Sequence, residues 1–169
     1  MERVAVLGSG GAGKTTVALE LATRTGLPVV HIDPLYWAPG WVERPPEEFR
    51  AALAAAVAEE RWILDGNVLR GDAADPRFGR VDTVVFLDLP RRICMRRAVA
   101  RRLTDRGEPR PDLPDGCREE FELSFFRWIW GYPERMRPRV LTILAGLRRE
   151  VAVHHLRTDR DVRRFLDSL

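Results

Sequence analysis

The chain has almost no lysine. Lys14 is the only one, and arginine supplies the rest of the 28 basic side chains. Against 25 acidic residues they leave a net charge of +3. That excess suits an anionic small molecule and is too small to require nucleic acid as a partner. No helix-turn-helix, zinc-finger or RNA-binding signature is present either, so the sequence gives DNA no support. Cysteine is equally scarce. Cys94 and Cys117 stand in dissimilar settings, which excludes a disulfide framework and a cysteine metal site. No apolar run approaches membrane-spanning length. Strand-like sequence begins at Arg3, leaving no room for a signal peptide, and the expected location is the cytoplasm. Repeats and linkers are missing too. The 169 residues favour one domain, 1–169, around a single core.

What is present is an alternation. "RVAVL" (3–7), "LPVVHID" (27–33), "WILD" (62–65), "DTVVFLDLP" (82–90) and "VAVHHL" (151–156) are short apolar runs that read as strands. Between them lie helical patterns, including "PPEEFRAALAAAVAEE" (45–60), with proline and acids at its start. A basic helix is expected from Arg91 to Arg106, two more over 118–130 and 134–149, and a closing one over 159–169. The predicted fold is α/β, a five-stranded parallel sheet sandwiched by helices. "GEPRPDLPDG" (107–116) marks a loop, the centre of a lid-like segment at about 103–118.

"GSGGAGKT" matches G-x-x-x-x-G-K-[ST] at every fixed position, with a strand before it and a helix starting inside it. Such a loop turns amide hydrogens toward phosphate oxygens, and the helix adds the positive end of its dipole. Gly8, Ser9, Gly10, Gly11, Ala12, Gly13, Lys14, Thr15 and Thr16 are therefore the expected cradle for ATP. Lys14 would reach the terminal phosphates and the Thr15 hydroxyl would ligate Mg²⁺. A carboxylate at a neighbouring strand end should complete the metal shell. Asp65 in "WILDG" is the better candidate and Asp88 in "VFLDLP" the rival. Either residue would also serve as a turn or helix-cap aspartate.

With this loop, "HID", "WILDGN" and the arginine-rich helix in place, the chain resembles the adenylate-kinase-like branch of P-loop kinases. The resemblance implies Asp65 near magnesium, with Asn67 and Arg70 on the acceptor side. "RRICMRRAVARR" resembles the helix that leads into the lid of those kinases. Arg97 and Arg101, four apart on one helix face, would share a set of phosphate oxygens, and Arg106 and Arg110 would close over ATP. A solvated basic face would show the same spacing. A closer resemblance covers nearly the whole chain. "GSGGAGKTT", "HIDPLYWAPGW", "WILDGN", "VFLDLPR", "RPDLPDGC" and "FFRWIWGYP" together are similar to the DNA topology modulation proteins, small bacterial P-loop proteins of the adenylate kinase type.

Asp33 separates the readings of function. Shikimate-kinase-like enzymes place an aspartate near the end of the second strand, where it meets the acceptor hydroxyl, and Asp33 resembles it. A carboxylate would repel a nucleoside monophosphate but can orient and deprotonate a hydroxyl. An Asx turn into Pro34 is the structural alternative. Tyr36, Trp37 and Trp41 would either wall an acceptor pocket or plug a small core, and Trp37 is the acceptor candidate among them. His31, His154 and His155 read as structural. Trp128 and Trp130 fall on different faces of a helix. Arg127 is a candidate for an acidic group on the acceptor, and Arg157 for flanking the adenine. The expected activity is transfer of the γ-phosphoryl group from ATP·Mg²⁺ to a small hydroxyl compound, with an acidic group on it as the feature Arg127 would meet. A nucleoside monophosphate kinase and a nucleotide-dependent regulator of DNA topology are the alternatives.

Overall fold

In a computed structural model of the protein, the described residues are 1–67, 75–104 and 123–169. In chain order the elements are β1 (Arg3–Gly8), α1 (Lys14–Thr25), β2 (Val29–His31), α2 (Asp33–Tyr36), β3 (Trp37–Ala38), β4 (Val42–Glu43), α3 (Pro46–Ala58), β5 (Trp62–Asp65), α4 (Arg77–Arg80), β6 (Thr83–Leu87), α5 (Arg91–Thr104), α6 (Leu123–Arg135), α7 (Arg137–Ala145), β7 (Ala152–Leu156) and α8 (Asp159–Asp167). Five strands form one parallel sheet in the order β2-β5-β1-β6-β7. β3 and β4 form a separate antiparallel pair.

The sheet is parallel because helices cover both faces, and its strands show it. Val4, Ala5, Val6 and Leu7 of the central strand are all fully buried. Alternate residues divide them between two cores. Val4, Val6, Ile63, Val85 and Leu87 pack against Val17 and Leu21 of α1, Ala98 of α5, Ile129 of α6 and Phe165 of α8. Ala5, Leu7, Leu64, Val84 and Phe86 pack against Phe49, Leu53 and Val57 of α3 and Val140 of α7. The spacing of four in α3 lays its three apolar side chains along one stripe.

The strand order places the functional ends. From β1 the chain crosses to β2 and returns through β5, then moves to the other side through β6 and β7. The reversal falls at β1, and ligands of open parallel sheets bind outside the carboxyl ends of the strands at such a point. The loop 9–13, Asp65 and Asp88 all lie at those ends.

The region after the second strand differs from the sequence reading, and α4 is an element that reading did not contain. The second strand stops at His31, because Ile32 takes a right-handed helical conformation. Asp33 thus opens the one-turn α2 instead of ending a strand. Between α2 and α3 the chain also forms the hairpin β3–β4, turned through Gly40 (φ 79°) and Trp41 (φ 59°).

Candidate active site

The phosphate loop has the backbone its glycines permit. Gly11 (φ 73°) and Gly13 (φ 93°) are left-handed, and Gly13 caps α1 directly before Lys14. The loop is closely packed from behind. A Cβ at Gly11 would lie 2.2 Å from the Cys94 carbonyl oxygen of α5, and one at Gly10 would lie 2.8 Å from Phe125 of α6. The Lys14 ammonium donates to the Ser9 carbonyl at 3.3 Å, so it folds back over the loop. Ser9 is buried, and its hydroxyl has no hydrogen-bond partner among the described residues. Ala12 is buried and Thr16 faces solvent.

Asp65 reaches this loop from β5. Its Oδ2 accepts a hydrogen bond from the Thr15 hydroxyl at 2.8 Å and lies 2.9 Å from His31 Nδ1. Its Oδ1 is buried and unpartnered among the described residues. A carboxylate oxygen left without a partner in a buried site costs on the order of 1–3 kcal/mol. Here it stands beside a hydroxyl at the rim of a phosphate cradle. Magnesium takes few protein oxygens and fills its shell with phosphate and water, so Thr15 and Asp65 fit it. Among the described residues no three His, Cys, Asp or Glu side chains converge as a denser metal site.

Asp88, the rival, is engaged elsewhere. Its oxygens accept from Arg137 Nε at 2.8 and 3.0 Å, and His155 Nε2 lies 2.7 Å from Oδ2. Burial alone would raise its carboxyl. The Arg137 and His155 hydrogen bonds outweigh that and hold it below the ordinary range. His155 also stacks on Phe86, so this cluster ties β6, β7 and α7 together.

The segment after Asp65 is held by a residue to which the sequence reading gave no role. Arg77 is fully buried and pairs with Asp75 at 2.6 Å. It also donates to the carbonyls of Gly66 (3.0 Å) and Asn67 (2.8 Å). Asn67 additionally accepts from the Tyr132 hydroxyl at 3.4 Å. Burial, then the nearby Asp88 charge, pushes that phenol well above its usual pKa. Tyr132 belongs to an aromatic row on α6, with Trp128 edge-on to it and Phe125 stacked beyond. This face of α6 looks toward the loop. Arg127 lies on the opposite, exposed face, and Trp130 is exposed with Arg91 over its ring.

Among the basic candidates, Arg97 contacts the loop: its Nη1 is 3.4 Å from the Ala12 carbonyl. Its Nη2 is held by Asp159, the first residue of α8, at 2.7 Å. Arg101 follows one turn later on the same face and is half-buried. Arg157 is exposed in the β7–α8 turn, at the carboxyl end of the sheet. Just past the carboxyl end of β2, Asp33 is exposed and next to Ile32, whose amide donates to the Asp65 carbonyl at 2.9 Å. Trp37 packs edge-on against both Tyr36 and Trp41, while Tyr36 leans on Phe49 of α3. Tyr36 is therefore a core plug. Arg70, Arg106, Arg110 and most of the expected lid, 103–118, lie outside the described residues.

No family model matches the sequence, and neither does any curated protein. Solved structures do match along nearly its whole length. A shikimate kinase from Bacteroides thetaiotaomicron superposes with a TM-score of 0.54 at 16% identity, covering 99% of this chain and 95% of that one. A sugar kinase from Janibacter sp. HTCC2649 gives 0.53 at 17%, covering 99% and 93%. A deoxyadenosine kinase from M. mycoides gives 0.53 at 14%, covering 98% and 97%. The α/β fold, a five-stranded parallel sheet flanked by helices, is that of these small P-loop kinases. At such identity the likeness establishes the fold alone. No helix among the described residues is long and apolar enough to cross a membrane.

Proposed function

We propose that the protein is a kinase that transfers the γ-phosphoryl group of ATP·Mg²⁺ to a hydroxyl of a small molecule. One observation carries this reading. A complete phosphate loop meets, at the carboxyl end of β5, a buried aspartate that already holds the loop threonine and keeps one oxygen unpartnered among the described residues. The structural neighbours include kinases named for a sugar, shikimate and deoxyadenosine, which agrees with it.

In this reading the loop amides and Lys14 hold the donor phosphates. The bound metal would neutralise charge developing on the β and γ oxygens. Thr15 and Asp65 would hold it. Arg97 and Arg101 add positive charge to the transferring group, and Arg97 does so by leaving Asp159. Asp33 orients the acceptor hydroxyl and takes its proton. Trp37, Asn67 and Arg70 would border the acceptor. Arg106, Arg110 and Arg157 belong to the nucleotide side. Arg127 serves an acidic acceptor only if α6 turns its outer face inward, so it is the weakest member of the set.

The motif set also resembles DNA topology modulation proteins, and a nucleotide-dependent regulator would need a basic surface apart from the ATP site. No observation on the described residues favours it. The test is a panel of hydroxyl compounds and nucleoside monophosphates, read by ADP release in the presence of ATP and MgCl₂. A hydroxyl compound should stimulate release and become phosphorylated. A panel in which only nucleoside monophosphates respond would overturn the proposal.

A further inference from the structure

We infer that His31 is a positioning residue, whose Nδ1–H fixes the rotamer of Asp65 and holds its carboxylate against the Thr15 hydroxyl, where the two would share the metal shell. The inference rests on the kinase reading and deepens it. The sequence reading made His31 a satisfied core histidine. The structure agrees that it is nearly enclosed and names its partner, Asp65.

The sheet builds the contact. β2 and β5 run parallel with His31 opposite Asp65. Paired residues of neighbouring strands project to the same face, here the face that carries α1 and the Thr15 hydroxyl. The two side chains meet at 2.9 Å and are nearly enclosed, with 11% and 3% of their surface exposed. A carboxylate only accepts, so the histidine nitrogen is the donor. Both donors, Thr15 and His31, converge on Oδ2. Oδ1 is left buried and unpartnered among the described residues. Two donors on one oxygen fix which of the two faces the loop. With Thr15 alone the carboxylate could turn about its last bond and present either oxygen. A Thr15 hydroxyl that ligates a metal through a lone pair keeps its hydrogen for Asp65, so the two donors hold the carboxylate together.

Groups that orient a metal-binding carboxylate typically change metal affinity by about 10- to 100-fold when removed. The measurement is ATP affinity as a function of MgCl₂, by calorimetry, with a parallel titration in EDTA. His31→Leu should raise the magnesium concentration needed for half-maximal tightening by about tenfold or more, leaving ATP affinity in EDTA unchanged. His31→Asn keeps an N–H close to the Nδ1 position and should titrate within about threefold of the natural protein, well under that loss. If His31→Leu does not fold, His31→Phe replaces it, keeping a ring and losing the donor. Three outcomes overturn the inference alone while the natural protein remains magnesium-dependent. The donor-less variant titrates like the natural protein, the asparagine variant is as impaired as the leucine one, or ATP affinity in EDTA falls as far as affinity in magnesium. A natural protein whose ATP affinity ignores magnesium overturns both this inference and the metal role beneath it.

Discussion

Gly11 and Gly13 separate two reasons for a glycine. Both are left-handed, at φ 73° and 93°. Alanine in that conformation costs about 1–2 kcal/mol at either place. Their surroundings differ. A Cβ at Gly13 meets nothing within 4 Å, whereas one at Gly11 lies 2.2 Å from the Cys94 carbonyl oxygen. Real Cβ atoms essentially never come closer than 3.0 Å, so the loop and α5 must part by roughly the 0.8 Å difference. The obstacle is backbone, which cannot rotate away. Forced expansion of a packed site adds about 1–3 kcal/mol. Gly11→Ala should therefore lose about 2–5 kcal/mol in urea unfolding without nucleotide, and Gly13→Ala only about 1–2. ATP affinity should fall in both, since each change strains the backbone of the loop that would cradle the phosphates. Equal stability losses in the two variants would refute the claim that α5 backs the loop.

Three further outcomes follow from the same geometry. Lys14→Ala leaves phosphate charge uncompensated, and transfer should fall by on the order of 10²-fold or more, measured as ADP release with a saturating acceptor. Arg77→Leu strands a buried Asp75 and two carbonyls, and should cost about 3–5 kcal/mol in urea unfolding; Asp75→Asn in the same chain should recover part of it. Asp88 lies below its ordinary pKa, because its partners overcome burial. Its contribution is thus fully present above the unfolded carboxylate value of about 3.9 and is lost as pH falls through the lower folded value. Asp88→Asn should flatten the pH dependence of the urea midpoint in that acid window, and an unchanged profile would contradict the assignment.

The parts of the site legible in the sequence are those whose chemistry is local. Gly8–Thr15 announces itself because loop, lysine and hydroxyl are consecutive. Asp65 was found because an apolar strand ends in it. Asp65 was preferred over Asp88 from sequence, but what engages Asp88 was not legible, since its partners lie 49 and 67 residues away. His31 was missed for a related reason: its meeting with Asp65 depends on β2 lying next to β5, and strand order is not written in either segment. Arg77 in "DPRFGR" has no periodicity to distinguish it from a surface arginine, and its burial depends on the chain returning to Gly66 and Asn67. Arg97 was found by spacing, but Asp159, 62 residues on, was not. The five strands were legible because each is a short, continuous apolar run. The end of β2 was misplaced by two residues, because a helical turn before and after Pro34 reads like a strand end in sequence.

Transfer to a hydroxyl with the help of Asp33 stands or falls on Asp33→Asn. Asparagine keeps the size and shape of the side chain and removes its charge and basicity. General-base assistance is typically worth about 10²- to 10⁴-fold in rate. Phosphoryl transfer to the identified acceptor should fall within that range, while ATP affinity, set by the Gly8–Thr15 loop, stays close to that of the natural protein. Asparagine also makes Asx turns, so a purely structural aspartate would leave both quantities unchanged. Full transfer activity in Asp33→Asn would contradict the account.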